Sequence, residues 1–556
     1  LRNTVRFEDN INTVLADEPR ILVEIGPGRI LTNLARANAN KANAIFNSMR
    51  HPNEPDSDLE FALRTLGTIW ANGVAIDWKQ FRGEERRRRV PLPTYPFERK
   101  AYWVEPGKNT IVESPHQEVL CKKPNMDDWF ASINWSQSGL PTLKVNQDER
   151  WLIFKDKLGV ADALISKLVA QPSKGAQPSE GTAPLITTIE AGRQFENSFE
   201  KTGENCFKID PDNLDHFERL FEEVFESDKA PQHIVYMWPV SENESNSQLN
   251  CTTFASQMAP CFWGLFHLGK ILGEQEEPIS LSVVSSNMHT IGGQNCQPEK
   301  AMLSGPVAVL PHEFSHVETR SIDIQTTGNK NRLAEQIFRE LSSDISDQFV
   351  AYRGGDRWVR RVESTLIDPL AENQQWLKEE SSILITGGLG GIGLNIAKEL
   401  ARQGAKNIVL LSRGGLPSKA EWPQFLTNNS ESNSTCKKIR GVQEVETLGA
   451  NVVCPKADVS EPLLMKKVID TAEQELGKFN GIIHAAGSMD DQLLVLKSRA
   501  SAESVIKAKV QGALVLDTLF EDRPLDFFVV FSSIASFLGI PGQIDYTAAN
   551  AFLDAF

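Results

Sequence analysis

The sequence predicts an α/β fold in which short parallel strands alternate with helices. Residues 383–393 (ILITGGLGGIG) combine an apolar strand with glycines at the point where a helix should begin. Apolar residues then recur at helical spacing, and residues 407–411 (NIVLL) are typical of the next buried strand. A similar alternation precedes this one between residues 126 and 375. Two successive α/β layers are therefore expected.

The earlier layer contains four apolar segments that we interpret as strands. They are residues 129–135 (WFASINW), 150–154 (RWLIF), 233–238 (HIVYMW) and 279–285 (ISLSVVS), separated by helical patterns such as residues 254–272. The last strand is expected at residues 352–358 (YRGGDRW). No glycine-rich phosphate loop accompanies these strands, so no nucleotide site is predicted in this layer.

One motif in this layer suggests metal binding. His312 and His316 frame a literal HExxH, which binds zinc when both histidines share one helical face. The flanking residues 307–310 (VAVL) and 317–324 are rich in β-branched side chains, which favours strand–turn–strand and leaves too little room for a helix. The next histidine downstream is His484, so no third ligand follows nearby. We predict no metal site, and a zinc hydrolase remains the alternative that elemental analysis would decide.

The glycine-rich turn of the later layer predicts a dinucleotide site. Without Cβ atoms the backbone lets a pyrophosphate approach the first amides of the following helix, whose positive end favours anions. Further strand ends at ADV and HAAG would lie beside the cofactor, where His484 is interpreted as a core residue rather than a catalytic one. The predicted cofactor residues are Thr386, Gly387, Gly388, Leu389, Gly390, Gly391, Ile392, Gly393, Ser412, Arg413, Asp458, Val459, Ala485, Ala486 and Gly487.

The residues after the second strand of this layer select the cofactor. An NAD site needs a carboxylate there for the ribose 2′-hydroxyl, whereas an NADP site needs a cation for the 2′-phosphate. This chain has Ser412-Arg413-Gly414 and no acid. Because the guanidinium of Arg413 suits phosphate, we predict NADPH. The alternative is that Arg413 is an ordinary solvated arginine.

Residues near the end of the chain carry the predicted chemistry. Residues 527–533 (FFVVFSS) are expected to form a fifth strand, and Tyr546 to Asn550 (YTAAN) open an alanine-rich helix. Hydride delivery to a ketone needs an acid, and a tyrosine can serve when an ammonium lowers its pKa and a hydroxyl orients the carbonyl. Ordinary short-chain dehydrogenases/reductases carry that lysine one turn after the tyrosine. This chain has Asn550 there, and Lys509 stands upstream.

This set of motifs resembles the ketoreductase domain of modular polyketide synthases, where lysine and asparagine exchange places. The matching motifs are TGGLGGIG, SRGG, ADVS, HAAG, KVQGA, FSS and YTAANAFLDAF. The resemblance implies that Ser533 orients the carbonyl, Tyr546 is the acid, Lys509 depresses the tyrosine pKa and Asn550 completes a tetrad. Lys507 is the alternative lysine, but only Lys509 directly precedes the Val-x-Gly-Ala of the family.

The same resemblance implies an architecture. Residues 376–556 would be a Rossmann-like short-chain dehydrogenase/reductase catalytic subdomain, incomplete at its C-terminus, preceded by a truncated Rossmann-like structural subdomain over residues 126–375. Residues 21–31 (ILVEIGPGRIL) resemble the end of an acyltransferase, so residues 1–48 are interpreted as its C-terminal remnant. Residues 49–125 resemble the linker that follows, with an extended proline-rich strap at residues 90–103.

The function implied is NADPH-dependent reduction of a β-ketoacyl thioester held on the phosphopantetheine arm of an acyl carrier protein. Ketosynthase and acyltransferase domains of the same synthase are the other expected partners. Asp490 and Asp491 follow Met489 where one stereochemical class has Leu-Asp-Asp, and Leu538 stands where the opposite class has tryptophan. The resemblance therefore implies that these residues guide the substrate and that the product is D-configured. Alternatively, the two aspartates cap a helix.

Two features of the chain limit the activity and the kind of protein that we expect. The chain lacks an acyltransferase nucleophile motif and stops at Phe556, before the strand, lid and carrier protein expected of the family, so we expect the piece alone to be poorly active. A free-standing reductase would lack the acyltransferase-like segments, and a dead scaffold would be expected to lose Tyr546 or the glycine turn.

Composition excludes several other classes. A net charge of −15 argues against a nucleic-acid partner. Seven cysteines without CxxC spacing indicate free thiols in a reducing, cytoplasmic compartment. No apolar run approaches membrane length, and no signal peptide precedes the first element.

Overall fold

The computed structural model divides the chain into two compact units, residues 1–122 and residues 123–556. It describes residues 6–15, 20–38, 44–50, 57–83, 125–141, 150–170, 184–192, 199–225, 231–242, 249–343, 347–365, 377–378 and 380–556. The proline-rich strap expected at residues 90–103 lies outside the described residues.

The first unit contains a small parallel pair of strands with helices. Its strands are β1 (Ile21–Glu24) and β2 (Ala44–Asn47), and its helices are α1 (Phe7–Val14), α2 (Ile30–Asn38), α3 (Asp58–Ala71) and α4 (Trp78–Arg82). The Glu24 carboxylate accepts hydrogen bonds from the Leu31 and Thr32 amides in the first turn of α2. An acid at this end of a helix also complements the helix dipole.

The second unit begins with a ten-stranded sheet. Its strands are β3 (Ala131–Ser138), β4 (Arg150–Lys155), β5 (Leu185–Ala191), β6 (Glu200–Gly203), β7 (Cys206–Ile209), β8 (His233–Tyr236), β9 (Ile279–Ser286), β10 (Val317–Ile324), β11 (Phe349–Arg353) and β12 (Asp356–Ser364). The order is β3-β12-β11-β10-β9-β8-β4-β5-β7-β6. The central strands from β11 to β7 are parallel, whereas the edge strands pair antiparallel. The first predicted strand begins later than expected, because residues Met126–Trp129 form a 3₁₀ turn.

The helices on this sheet include one that the sequence did not predict. They are α5 (Val160–Val169), α6 (Leu214–Phe225), α7 (Cys251–Met258), α8 (Gly264–Leu272), α9 (Pro298–Ala301), α10 (Ser304–Glu313) and α11 (Lys330–Leu341). The strand–turn–strand interpretation was wrong for residues 307–310, which lie in α10, and right for β10. Every residue of α10 from Ser304 to Leu310 is buried, so packing overrides the strand preference of the valines.

A second sheet of five strands forms the rest of the unit. Its strands are β13 (Ser382–Thr386), β14 (Asn407–Leu411), β15 (Asn451–Val453), β16 (Gly481–His484) and β17 (Phe527–Val530). All pair in parallel, in the order β15-β14-β13-β16-β17. The predicted α/β fold is confirmed here. The strand expected to end at Val459 is shorter in the structure. Strand β15 ends at Val453, and beyond it only an isolated bridge joins Ser412 to Lys456.

Helices cover this sheet on both faces. They are α12 (Gly391–Arg402), α13 (Trp422–Asn428), α14 (Ser434–Thr447), α15 (Pro462–Leu476), α16 (Arg499–Ile506), α17 (Gly512–Phe520), α18 (Ala535–Leu538) and α19 (Ile544–Ala555). A π-helical turn, Lys507–Gln511, joins α16 directly to α17. None of the helices within the described residues is long and apolar enough to cross a membrane.

One hydrophobic core cluster of this unit spans both layers. That core combines buried side chains of α8 and α10 with side chains of α17 and α19. Helices α10 and α19 approach so closely that a Cβ on Gly305 would lie 2.4 Å from the Ile544 carbonyl oxygen. Phe254 of α7 also meets Phe552 of α19 edge to face, with ring centroids 5.3 Å apart. The helix that carries Tyr546 is therefore packed against the ten-stranded layer.

Candidate active site

The glycine turn between β13 and α12 can close only without side chains. Gly387 has a φ of +66°, and a Cβ there would lie 2.6 Å from the Ala485 carbonyl oxygen. A Cβ on Gly388 would lie 2.7 Å from the Leu410 Cα, and one on Gly393 would lie 2.6 Å from the Gly388 Cα. These glycines bring the strand, the turn and the helix into direct backbone contact.

The outer face of the same turn is open. Gly390, Gly391 and Ile392 are exposed at the first turn of α12, and a Cβ on Gly391 would meet no atom within 4 Å. Thr386 and Leu389 are buried beneath them. The first amides of a helix have no partner within the helix, so the open face presents donors at its positive end. The residues present fit the pyrophosphate of a dinucleotide.

The loop after β14 carries the predicted 2′-phosphate residues. The Ser412 hydroxyl accepts from the Gly415 amide at 3.1 Å, and Arg413 is exposed. Burial opposes ionisation of the nearby Asp458, yet hydrogen bonds from Ser460 and the charges of Arg413 and Lys507 hold the pKa of Asp458 below its ordinary value. Arg413, after β14, is therefore near enough to Asp458, after β15, for its charge to favour the carboxylate.

The end of β16 links the glycine turn to Lys509, the lysine predicted to be catalytic. His484 is buried, with Nδ1 2.7 Å from the Thr386 hydroxyl and Nε2 2.9 Å from the Lys509 carbonyl oxygen. Burial lowers the pKa of His484 to about 4, which fits the core residue that the sequence predicted. After it, Ala485 and Ala486 are half-buried and Gly487 is exposed.

Lys509 lies beside Tyr546. Its ammonium donates to the Phe531 carbonyl oxygen at 2.8 Å and lies 5.2 Å from the centroid of the Tyr546 ring. Lys509 belongs to the π-helical turn, a rare local structure that is frequent at functional sites. Burial lowers the pKa of Lys509 to about 8. By contrast, Lys507 is exposed to solvent and pairs with Glu461 at 2.8 Å.

The other predicted catalytic residues follow from β17 and α19. Ser533 lies after β17, half-buried, with its hydroxyl accepting from the Ala535 amide at 3.2 Å. Asn550 lies one turn after Tyr546 and donates to the Tyr546 carbonyl oxygen at 2.7 Å. Asn550 is wholly buried, and its Oδ1 accepts no hydrogen bond among the described residues. The structure therefore places Lys509 and Asn550 against Tyr546 from two helices.

The predicted substrate-guiding residues lie in the two segments around this centre. Asp490 and Asp491 are exposed after β16, and Leu538 is exposed at the end of α18. Asp490 accepts from the Ser501 hydroxyl at 2.6 Å, and the hydrogen bonds from Ser501 and Gln492 lower its pKa. Asp491 accepts from the Gln543 amide at 2.9 Å. The two segments are thus joined directly.

The HExxH residues do not form a metal site among the described residues. His312 and Glu313 lie at the end of α10, whereas His316 lies beyond it and its Nε2 is 2.9 Å from the Leu272 carbonyl oxygen. The described residues contain no cluster of histidine, cysteine or acidic side chains suited to a metal ion. Glu313 instead contacts the active-site loops.

Sequence reasoning assigned no active-site role to three charged residues near Tyr546: Glu313, noticed only within the HExxH motif, Lys497 and Asp545. Lys497 and Asp545 form a buried ion pair at 2.8 Å. No local spacing could have found the pair, because its members are separated by 48 residues. The available signal was a single acid directly before Tyr546 in an otherwise apolar helix start.

Two families of known proteins match parts of the second unit. Residues 381–556 match the KR domain family. Residues 184–340 match a family described as beta-ketoacyl synthase-like, N-terminal, a resemblance that the sequence analysis did not identify. In the structure this second range runs through the ten-stranded layer, ending within α11.

Curated relatives include polyketide synthases from bacteria and fungi. The chain is 26% identical over 515 residues to polyketide synthase PksL of Bacillus subtilis, covering 89% of this chain. It is 39% identical over 192 residues to a 6-methylsalicylic acid synthase of Aspergillus terreus, covering 34% of this chain. The chain spans 10% of the length of each of these relatives.

Solved structures share the fold. An N-terminal ketoreductase from the macrolactin assembly line aligns with a TM-score of 0.61 at 22% identity, covering 77% of this chain and 79% of that one. An adenylation, ketoreductase and pseudo Asub structure of a keto acid-selecting NRPS module aligns with a TM-score of 0.66 at 21% identity, covering 95% of this chain and 39% of that one. The fold and the family match agree: the second unit has the fold of the solved macrolactin ketoreductase, and residues 381–556 match the KR domain family.

Proposed function

We propose that this chain reduces a β-ketoacyl thioester to a β-hydroxyacyl thioester with NADPH. The single observation that carries the proposal is the pairing of Lys509 with Tyr546, 5.2 Å from ammonium to ring centroid, beside the closed glycine turn. A cation next to a phenol, near the carboxyl ends of parallel strands, is an arrangement suited to carbonyl reduction.

The proposed cofactor site begins at the exposed outer face of the glycine turn. Gly390, Gly391 and Ile392 would hold the pyrophosphate at the start of α12, and Arg413 would hold the 2′-phosphate. Asp458, Val459, Ala485, Ala486 and Gly487 would line the rest of the site. When bound, NADPH supplies the hydride for the ketone carbon.

The residues of the chain supply binding, orientation and the proton. The Ser533 hydroxyl hydrogen-bonds the ketone oxygen, and the Tyr546 hydroxyl donates its proton to that oxygen as negative charge develops. The Lys509 ammonium stabilises the phenolate that remains. Asn550 fixes the start of α19 through the Tyr546 carbonyl oxygen.

The proposed substrate is delivered by other parts of a synthase. The thioester would be attached to the phosphopantetheine arm of an acyl carrier protein, with ketosynthase and acyltransferase domains of the same synthase supplying it. Residues 1–48 are proposed as the end of that acyltransferase and residues 49–125 as the linker. Supporting this, the relatives that match the chain are polyketide synthases.

The proposed product is D-configured. Asp490, Asp491 and Leu538 are all exposed. In this proposal the two aspartates guide the pantetheine arm along one side of a substrate groove, and Leu538 leaves the opposite side open. A tryptophan at that position would fill the space.

Tyr546→Phe tests the chemistry. We expect the rate of reduction of a diketide thioester to fall by about a hundredfold or more, because the general acid is lost. Binding of NADPH, measured by its fluorescence, should stay unchanged, which separates lost chemistry from lost folding. A Tyr546→Phe chain that retains full activity would refute the proposal.

Arg413→Ala tests the cofactor. We expect the affinity for NADPH to fall by roughly tenfold or more with little change for NADH, since only NADPH carries the 2′-phosphate. Arg402→Ala is the matched control, because Arg402 is an exposed arginine at the end of α12 paired with Glu399. Equal losses for the two cofactors in Arg413→Ala would show that this arginine does not select the phosphate.

A further inference from the structure

The carboxylate of Glu313 holds two backbone segments of the candidate active site together. Its Oε2 accepts from the Leu494 amide at 2.7 Å, and its Oε1 accepts from the Gly542 amide at 2.8 Å. Glu313 is the last residue of α10, which belongs to the ten-stranded layer. One side chain from that layer therefore bridges two loops of the five-stranded layer.

The two loops are the walls of the proposed substrate groove. Leu494 follows Asp490 and Asp491, and Gly542 lies between Leu538 and Tyr546. The walls also touch each other, because the Gln492 amide donates to the Gly542 carbonyl oxygen at 3.1 Å. Glu313 thus acts where the substrate-guiding segments meet.

A buried ion pair reinforces the same junction. The Lys497 ammonium contacts both carboxylate oxygens of Asp545, at 2.9 and 2.8 Å, and donates to the Asp490 carbonyl oxygen at 2.6 Å. Asp545 in turn accepts from the Tyr546 amide at 2.9 Å. Both charged side chains are almost wholly buried. The Asp490 loop is therefore connected to the residue before the proposed acid.

The surroundings of the Glu313 carboxylate strengthen its two hydrogen bonds, and both of its oxygens are needed. Burial raises the pKa of Glu313, whereas the Leu494 and Gly542 amides and the Lys497 charge oppose that rise. Hydrogen bonds from amides to a partly buried carboxylate are stronger than neutral ones. A side chain that offers only one acceptor cannot satisfy both amides.

The segment around residues 537–539 is held against the ten-stranded layer independently of this carboxylate. A Cβ on Gly539 would lie 2.4 Å from the Ala308 carbonyl oxygen, so the loop before Gly542 packs directly on the helix. The Arg360 guanidinium, from β12, also lies 4.7 Å from the centroid of the Phe537 ring. Loss of the Glu313 hydrogen bonds should therefore loosen the groove without unfolding it.

We propose that Glu313 is a positioning residue that fixes the Asp490–Asp491 loop against the turn before Tyr546, so that the ketone enters in one orientation. This proposal rests on the proposed function. Glu313 touches neither the reacting atoms nor a metal; it acts through the Leu494 and Gly542 backbone. The glutamate of the HExxH motif is thereby assigned to substrate orientation.

The test compares Glu313→Gln with His312→Gln in the full 556-residue chain. Glutamine keeps the size of glutamate but replaces one acceptor with a donor, which faces a backbone N–H. His312 is the adjacent, exposed residue of the same helix, so its substitution controls for a general effect on α10. The readouts are hydrogen exchange at the Leu494 and Gly542 amides, the KM for a diketide thioester, the KM for NADPH and the ratio of product stereoisomers.

We expect Glu313→Gln to accelerate exchange at one or both amides by about tenfold. The KM for the thioester should rise severalfold and the minor stereoisomer should increase by about tenfold, with the KM for NADPH unchanged. His312→Gln should change none of these readouts. This split separates positioning of the substrate from a general loss of structure.

Two outcomes would overturn the proposal. Unchanged exchange and stereoisomer ratio in Glu313→Gln would show that the carboxylate does not hold the walls. Faster exchange throughout the five-stranded layer would show that Glu313 supports the whole fold instead. If the unsubstituted chain reduced no β-ketoacyl thioester, the proposed function would fail, and exchange at the two amides would still decide whether Glu313 holds the loops.

Discussion

Lys509 is the residue whose charge state matters most at this site. Burial lowers its pKa to about 8, so its ammonium loses the proton within the range of ordinary assays. Lys507 behaves oppositely, because its hydrogen bond to Glu461 raises its pKa. The two lysines, two positions apart, are thus separable by pH.

The pH dependence of reduction should therefore identify the lysine. Below pH about 8 Lys509 is protonated, and above it the ammonium is lost, so kcat/KM should fall as pH rises through that value. Lys509→Ala should lower activity at every pH and remove this basic limb from the profile. Lys507→Ala should retain both the activity and the limb.

The reverse pattern would transfer the role to Lys507. A basic limb that survives Lys509→Ala but disappears in Lys507→Ala would contradict the assignment. The measurement is kcat/KM for the thioester between pH 6 and pH 10, at saturating NADPH. These limits lie roughly two units on either side of the Lys509 pKa of about 8, whereas Lys507, whose pKa is raised, keeps its proton across the range.

Residues with a local signature could be predicted from the sequence, and residues defined by distant contacts could not. Tyr546, Asn550 and Lys509 stand in recognisable motifs, and the structure brings them together. Glu313 was noticed, but only for a zinc motif. Its real contacts, Leu494 and Gly542, lie far along the chain and depend on how two layers pack.

At the scale of elements, the short helix α18 and the turn after it would form one wall of the proposed substrate groove. Leu538 ends α18 and is exposed, whereas Gly539 is pressed against α10. Gly539 has a φ of +66°, which a residue with a side chain adopts only under strain. The wall is therefore fixed in backbone position while its outer side chain is free to vary.

Leu538→Trp should redirect the stereochemistry. A larger side chain on an exposed position fills one entry side of the groove without disturbing the core, so the proposed D product should decrease relative to the L product by about tenfold. Leu463→Trp is the control, since Leu463 is exposed on α15. Chiral chromatography gives the ratio, and an L product from the unsubstituted chain would show that the D assignment is wrong.

Element type was predictable where periodicity and burial agree. Residues 407–411 and 527–530 are short apolar runs and form buried or partly buried strands. Residues 307–310 were misjudged because α10 is buried on every side through Leu310, so no polar face marks its period. Two valines in a buried helix are indistinguishable from a strand by pattern alone.

At the scale of the whole second unit, the two layers were predicted, but the residues through which they contact each other were not. The glycine-rich turn predicted that the five-stranded layer binds a dinucleotide. The ten-stranded layer lacks such a turn, so it was predicted to be structural. The common core, in which Phe254 meets Phe552, appears only in the folded chain. Arg499 adds a charged contact of the same kind, pairing with Asp212 at 2.6 Å.

This shared core sets the size of the piece that can be exchanged between chains. A transplant of residues 381–556 alone would leave the buried face of α19 without α10, and the groove without Glu313. The piece that can be exchanged is therefore larger than residues 381–556, because a graft needs both sheets. Its junction should lie near residue 123, where the chain divides into its two compact units. Recombination inside that range would separate surfaces that pack against each other in this chain.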